Sequence, residues 1–283
     1  MNLARAGLAD QTGLLLIGHG TMSAVGVAEA NALKDLTARM APRAAVEVGF
    51  LEFARPTPSE AIALLAARQV RSITIVPLLL ARGGHARRDI PMLVHEAVRM
   101  YPSLAFVVAP HIGCQPAILE LSVLRYREAV ASRPPTPSEE TLLLLISRGS
   151  RDCGVKEEIA AFARRRLQLG DVGQVETGFL GMTEPALDQV LAIAGASRYR
   201  QLVVQSHLLF AGELTDRIGA AVNTIAQRWT NHDWVLAEHL GPERLVVDAI
   251  LQAALLDLDP TKHDLRTSFC VLDANLRRAA AID

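Results

Sequence analysis

The sequence predicts an α/β protein built as two similar domains, each with a parallel sheet covered by helices. Continuous apolar runs, such as residues 14–17 and 142–146, are typical of strands that are buried on both faces of a sheet. In the first half, a helical pattern follows each strand-like apolar run, as expected for alternating strands and helices. The chain also repeats itself, which predicts that the second half folds like the first.

The repeat consists of four stretches that recur in the same order. His19 pairs with Arg148, and VEVGFLEFARP (46–56) pairs with VETGFLGMTEP (175–185), both at an offset of 129. Residues 76–90 pair with 204–218, and 109–113 with 237–241, both at an offset of 128. Four ordered matches that slip by a single residue indicate an internal duplication.

The elements follow from this pattern in order. We expect strands over 13–18, 45–51, 72–80 and 104–109 in the first half, and the same series in the second. The run Thr57-Pro58-Ser59-Glu60 is a capping box with proline in the first turn, so it predicts a helix that continues through residues 61–68. Three prolines within 133–140 exclude regular structure there and indicate a linker. The predicted division is therefore a first domain (1–132), the linker (133–140), a second domain (141–257) and a C-terminal extension (258–283).

Composition limits the class of protein. With 283 residues, 50% of them hydrophobic and 21% charged, the chain is typical of a globular protein. A net charge of -1 gives no electrostatic footprint for nucleic acid. No apolar stretch approaches the roughly 20 residues that span a bilayer, and the N-terminus lacks the apolar core of a signal peptide. Three cysteines without a CxxC pair favour a reducing cytoplasm.

Three candidate site residues follow strands of the first half: His19, Glu52 and His85. Ligands of open parallel sheets bind beyond the carboxyl ends of the strands, so these side chains are expected to meet. The equivalent positions of the second half carry other residues, namely Arg148, Gly181 and Glu213. Because all three changed while their flanks stayed similar, we interpret them as functional. Two imidazoles and a carboxylate suit Co²⁺, Ni²⁺ or Fe²⁺.

Other histidines and motifs are less informative. His111 and His239 occur in both halves, in A-x-H-[IL]-G, which favours a structural role. His207 occurs only in the second half and is a candidate for the same cleft. The sequence has no phosphate loop, no GxGxxG after a strand and no G-x-S-x-G nucleophile elbow.

These motifs resemble the class II chelatases, the sirohydrochlorin cobaltochelatase and ferrochelatase family in its long, duplicated form. The resemblance runs from about residue 13 to 255 and rests on GHGT (18–21), GFLEFARPTPSEAI (49–62), VPLLLARGGHARRDIP (76–91), PHIGCQPAILEL (110–121), RGSRD (148–152), GFLGMTEP (178–185) and HLLFAGELTDRI (207–218).

The resemblance implies a chelatase fold, with two α/β domains facing each other across a cleft. It implies insertion of a divalent metal, Co²⁺ first and Fe²⁺ or Ni²⁺ as alternatives, into sirohydrochlorin, in cobalamin or sirohaem synthesis. It implies that His19 and His85 are the metal-site residues. The metal is then a substrate, and no permanent cofactor is expected.

Insertion releases two pyrrole protons, so a base is needed. Glu52 is expected to accept protons or to act as a third ligand, and the alternative is that the histidines take the protons themselves. Sirohydrochlorin is a polycarboxylate, which suits guanidinium groups. The predicted substrate contacts are Arg82, Arg87, Arg88, Arg148, Arg151, Glu213 and His207.

Three alternatives stay open on the sequence. The same cleft suits a non-catalytic carrier of metal or tetrapyrrole. A regulatory or structural α/β module would carry the trio incidentally. A protohaem ferrochelatase shares the chelatase fold, although the motifs favour a hydrophilic uroporphyrinoid. Either a monomer or a homodimer is compatible with two fused domains.

Overall fold

The computed structural model describes residues 11–83 and 88–256. His85, Arg87 and the predicted C-terminal extension (258–283) lie outside the described residues. Each half contains four strands and at least four helices in alternation, so the predicted α/β class is confirmed.

The described residues of the first half form eight elements and one short turn of 3₁₀ helix. They are β1 (Thr12–Gly18), α1 (Ala24–Met40), β2 (Ala45–Phe50), α2 (Pro58–Ala67), β3 (Ser72–Pro77), α3 (Asp89–Met100), β4 (Ala105–Val108), the 3₁₀ turn Ile112–Cys114, and α4 (Pro116–Val130).

The second half repeats this order after a 3₁₀ turn at Ser138–Glu140. Its elements are β5 (Thr141–Ser147), α5 (Cys153–Leu167), β6 (Gln174–Phe179), α6 (Leu187–Gly195), β7 (Gln201–Ser206), α7 (Glu213–Arg228), β8 (Asp233–Ala237) and α8 (Arg244–Leu256).

The two sheets have the same parallel topology, β2-β1-β3-β4 and β6-β5-β7-β8. Their registers are also equivalent, since Gly13 pairs with Ala45 in the first sheet and Leu142 with Gln174 in the second. In each sheet the second strand lies on one side of the first strand and the third strand lies on the other. The order in which strands are added therefore reverses beside the first strand of each half. The ends of β1 and β3, and of β5 and β7, therefore form the crevices where such folds bind ligands.

Helices cover both faces of each sheet. The outer face of the first sheet packs on α2 and α3 through residues such as Ile62, Leu65 and Ile90. The outer face of the second packs on α6 and α7 through residues such as Leu191 and Ile218. One larger core lies between the sheets and includes buried side chains of both, so the two halves share a hydrophobic interior.

The last helix of each half packs on the other half. Helix α4 contacts α5, β7 and β8 of the second half, and α8 contacts α1 and β3 of the first. Each half therefore completes its partner's helical layer. The division at residues 132 and 141 stays a proposal, and this exchange places α4 with the second sheet in space although it precedes the linker.

Most predicted elements match the observed bounds within a residue. The capping box is confirmed, because the Thr57 side chain accepts from the Glu60 backbone N–H and the Glu60 carboxylate accepts from the Thr57 N–H. Strand β3 ends at Pro77 rather than residue 80. Beyond it the Leu79 carbonyl accepts from Gly113 in the 3₁₀ turn, and Leu78 to Leu80 line a cleft. Among the described helices, none is long and apolar enough to cross a membrane.

Candidate active site

A cleft with a volume of about 1360 Å³ lies at the carboxyl ends of the strands. Both halves line it, through the loops that follow β1 and β3 and those that follow β5 and β7. His19 lines this cleft together with four other residues that the sequence predicts for the site, Arg88, Arg148, Arg151 and Glu213, and the buried His207 lies in its wall. The predicted meeting of two domains across a cleft is therefore observed.

Glycines make the turns that follow β1 and β5. Gly20 has a φ of 98° and Gly149 a φ of 84°, in the left-handed region that side chains disfavour. A Cβ at Gly20 would lie 1.8 Å from the Glu52 carbonyl oxygen, and one at Gly149 would lie 1.9 Å from that of Gly181. The turn after the first strand of each half can therefore rest directly on the loop after the second.

This close approach brings His19 and Glu52 together. The His19 carbonyl accepts from the Glu52 backbone N–H at 2.9 Å. The side chains are also close, with His19 Nε2 3.9 Å from Glu52 Oε2. His19 is mostly buried at the cleft, whereas Glu52 is largely exposed and lines a smaller hollow beside it. His19 thus lines the cleft, and the Glu52 carboxylate lies beside it at the smaller hollow.

The described residues supply two members of the predicted trio. Within residues 11–83 and 88–256, no three His, Cys, Asp or Glu side chains are grouped closely enough to hold a metal ion. His85 is the predicted third member and lies outside that range. The described ends of its loop, at Gly83 and Arg88, both line the cleft.

Charged groups of the cleft come from both halves. Arg88 stands at the start of α3, and Arg148 and Arg151 follow β5, so guanidinium groups reach the cleft from each domain. Glu213, the first residue of α7, also lines the cleft from the second half. Arg82 differs, because it is absent from the described cleft lining, and its backbone N–H donates to Glu158 at 2.8 Å. Its loop is therefore held against the second domain.

His207 is a core residue at the cleft wall. Its ring is 2% exposed and packs on Phe162, with 4.5 Å between ring centroids. Burial lowers the pKa of His207 to about 4, so the ring is neutral at physiological pH. A proton-accepting role near neutral pH does not fit this position.

The retained histidines join the two domains, as a structural role requires. His111 Nε2 lies 3.4 Å from Glu158 Oε2 on α5, and His239 Nε2 lies 3.0 Å from Glu29 Oε1 on α1. Burial lowers the pKa of His111, while the Glu158 carboxylate acts in the opposite direction.

The same two glutamates hold the loops that follow β3 and β7. Glu158 accepts from the Arg82 N–H at 2.8 Å, and Glu29 accepts from the Ala211 N–H at 2.6 Å. Each pair of equivalent residues is related by the repeat offset. We call Glu29–His239 and Glu158–His111 the interdomain pairs.

Sequence reasoning missed two groups. The glutamates of the interdomain pairs could have been found in the sequence, because Glu29 and Glu158 occupy the same position of the repeat. Phe53 and Met182 also line the cleft and are exposed. They lie inside matched stretches, but an apolar residue in a repeat gives no sign of whether it is buried.

Comparison with known proteins agrees with this architecture. The chain is 29% identical over 196 residues to a sirohydrochlorin cobaltochelatase of Priestia megaterium, covering 69% of this chain and 64% of that protein. The chain thus spans just under two thirds of that relative. It is 28% identical to a sirohydrochlorin ferrochelatase of the same organism, covering 81% of this chain and 84% of that one.

A solved structure shows the same fold. SirB from Bacillus subtilis with Fe³⁺ superposes with a TM-score of 0.78 at 24% identity, covering 89% of this chain and 97% of SirB. The sequence model of the CbiX family matches residues 13–129 and 142–255, one match in each half. With most of both halves matched, the chain belongs to the CbiX family.

Proposed function

We propose that this protein inserts a divalent metal, Co²⁺ first and Fe²⁺ or Ni²⁺ as alternatives, into sirohydrochlorin. The observation that carries the proposal is the asymmetry of the cleft. His19, which has Glu52 beside it, lines the cleft from one half, while Arg148 occupies the position of His19 in the other. Family membership and the relatives named sirohydrochlorin cobaltochelatase and ferrochelatase support it.

The metal is held by His19 together with His85. Imidazole nitrogens suit these borderline divalent ions. As the metal enters the ring, two pyrrole N–H bonds break and their protons leave, so that charge is conserved. Glu52 receives protons, because its carboxylate lies 3.9 Å from the His19 ring and is open enough to pass them to water. The alternative is that the histidines take the protons first.

The carboxylates of the tetrapyrrole bind to guanidinium groups at the cleft. Arg88, Arg148 and Arg151 are the described candidates, and Arg87 belongs to the same proposal. A planar guanidinium binds a carboxylate through two parallel hydrogen bonds, which fixes orientation as well as charge. Glu213 contributes one negative group to the rim, and His207 shapes the wall.

The proposal also includes a reducing cytoplasm and a monomer or homodimer. The two described cysteines, Cys114 and Cys153, are free thiols, which suits that compartment.

The test is anaerobic absorbance of sirohydrochlorin mixed with Co²⁺, Fe²⁺ and Ni²⁺ in turn. Wild type should change the tetrapyrrole spectrum faster than an enzyme-free control, and His19→Ala should lose that acceleration. His95→Ala is the matched control, because His95 is an exposed residue of α3 outside the described cleft lining. A wild-type rate equal to the enzyme-free rate with all three metals would contradict the proposal and leave a carrier.

The role of Glu52 is tested separately. Glu52→Gln keeps the size of the side chain and removes the proton acceptor. If Glu52 accepts protons, kcat falls at least about tenfold while KM for sirohydrochlorin stays the same. An unchanged kcat would assign the protons to the histidines.

A further inference from the structure

We propose that Phe53 and Met182 form an apolar clamp that grips the macrocycle of sirohydrochlorin, one residue from each domain. The inference rests on the proposed function and deepens it. The polar residues of the cleft account for the metal, the protons and the carboxylates, and the clamp accounts for binding of the ring itself. Three independent observations carry it.

The first observation is position. Phe53 follows β2 and Met182 follows β6, 129 residues apart, which is the offset that relates the first three strands of each half. Both side chains line the same cleft. The Phe53 ring also stands edge-on to His19, with 6.0 Å between the ring centroids. One member of the pair is therefore beside the residue that we assign to the metal.

The second observation is exposure. Phe53 is 63% exposed and Met182 is 58% exposed, although both are large apolar side chains. Such side chains are usually buried in the core, and here neither contributes its full area to folding. A flat apolar macrocycle between them would remove this surface from water. Its carboxylates lie at the edge of the ring, where the arginines of the cleft can bind them.

The third observation is backbone conformation. Phe53 has a φ of 61° and Met182 a φ of 63°, in the left-handed region that bulky residues rarely adopt. Flanking hydrogen bonds hold both loops in place, among them Phe50 N–H to Pro56 O and Phe179 N–H to Pro185 O. A residue kept in a disfavoured conformation in both copies, with its side chain in water, points to binding rather than to stability.

The binding experiment measures fluorescence of metal-free sirohydrochlorin titrated with the full chain. Phe53→Gly and Met182→Gly should each weaken affinity about tenfold. Each variant removes a side chain that would bury roughly half of its apolar surface against the ring. Phe53→Leu should restore most of the affinity. Glycine accepts the positive φ without strain, so the thermal midpoint of each glycine variant should stay the same or rise by about 2 °C.

Two matched controls separate the causes. Gln69→Gly relieves a φ of 57° just after α2, outside the described cleft lining, and should leave affinity unchanged. Ile193→Ala removes a side chain of α6 that is 66% exposed, also outside that lining, and should leave affinity unchanged.

Two outcomes with the glycine variants overturn the clamp alone. Affinity within about twofold of wild type in both glycine variants would show that the side chains do not touch the ring. Weaker affinity together with a lower thermal midpoint would assign them a structural role. Failure of the proposed function looks different, because wild type would then bind sirohydrochlorin through the clamp yet accelerate insertion of no metal. A wild type that fails to bind sirohydrochlorin overturns both.

Discussion

Acid should destabilise this protein through His207, and a leucine at that position should remove the effect. The ring is fully buried against Phe162, and burial lowers its pKa from 6.5 to about 4. Above pH 6.5 the ring is neutral in both the folded and the unfolded chain. As the pH falls below 6.5 the unfolded chain takes up a proton that the buried ring refuses, so unfolding becomes more favourable until the pH passes about 4.

The magnitude follows from the two pKa values. One pKa unit corresponds to about 1.4 kcal/mol, so His207 reduces the free energy of unfolding by about 2 kcal/mol at pH 5 and about 3 kcal/mol at pH 4. Leucine fits the site, because the structurally equivalent position of the first half is Leu78. The strands β3 and β7 are related by an offset of 129, one residue more than the pairing of 76–90 with 204–218 gives. The Leu78 N–H donates to Ile17 O as the His207 N–H donates to Ile146 O, and Leu78 is also buried.

The assay is urea unfolding of wild type and His207→Leu at pH 7.5 and pH 5. Wild type should lose about 2 kcal/mol more than the variant between the two pH values. The variant should also be more stable at pH 7.5 by about 1 kcal/mol or more, since neither nitrogen of the His207 ring has a hydrogen-bond partner in the described part of the chain. His95→Leu, at an exposed position, is the control that should keep the wild-type pH dependence. Equal pH dependence in wild type and His207→Leu would refute the argument from burial.

Three further predictions concern the frame around the cleft. Glu29→Ala leaves the Ala211 N–H without its acceptor and should lower the free energy of unfolding by about 1–3 kcal/mol, measured by urea unfolding. Gly149→Ala forces a Cβ against a carbonyl oxygen and should cost about 3 kcal/mol, whereas Gly170→Ala, at φ 76° with open space around it, should cost only about 1 kcal/mol. Thr57→Ala removes the cap of α2 and should cost about 1 kcal/mol, with no change in the affinity for sirohydrochlorin.

The fold was predictable because the duplication is visible in the sequence. Apolar runs located the strands, and the offset of 129 in the first two repeated stretches anticipated that β1 and β2 pair in the same register as β5 and β6. The end of β3 was less predictable, since Leu79 and Leu80 continue its apolar run as part of the cleft wall. Hydrophobicity indicates burial, but it does not distinguish a buried strand from an apolar loop that follows the strand and lines the cleft.

The exchange of α4 and α8 was not predictable from one chain. Periodicity shows which face of a helix is apolar, but either sheet offers an apolar face of the same kind. The choice depends on how the chain leaves β4 and β8 in space. The buried state of His207 was hidden for a similar reason, because a polar residue after a strand gives no sign that Phe162 covers it.

The proximity of His19 and Glu52 was predictable from the sequence, whereas the exposed apolar residues of the cleft were not. His19 and Glu52 were found because their counterparts in the second half differ in charge and size. Phe53 and Met182 are both large and apolar, so the same comparison passes over them. Their positive φ angles are also invisible, because neither phenylalanine nor methionine is typical of that conformation.

Some residues are the same in both halves of this duplicated chain and others differ, and the two groups lie at different places. The interdomain pairs keep glutamate and histidine at both symmetry-related places, because each domain must be fastened to the other in the same way. Facing the cleft, His19 has no histidine counterpart in the second half, which fits the proposal that one metal takes its ligands from one side. In the proposed clamp, a flat ring is contacted on both faces, and Phe53 and Met182 are the matched apolar pair at that place. The two halves therefore carry matching residues where both make the same contact, and they differ at the proposed metal site, which belongs to one half.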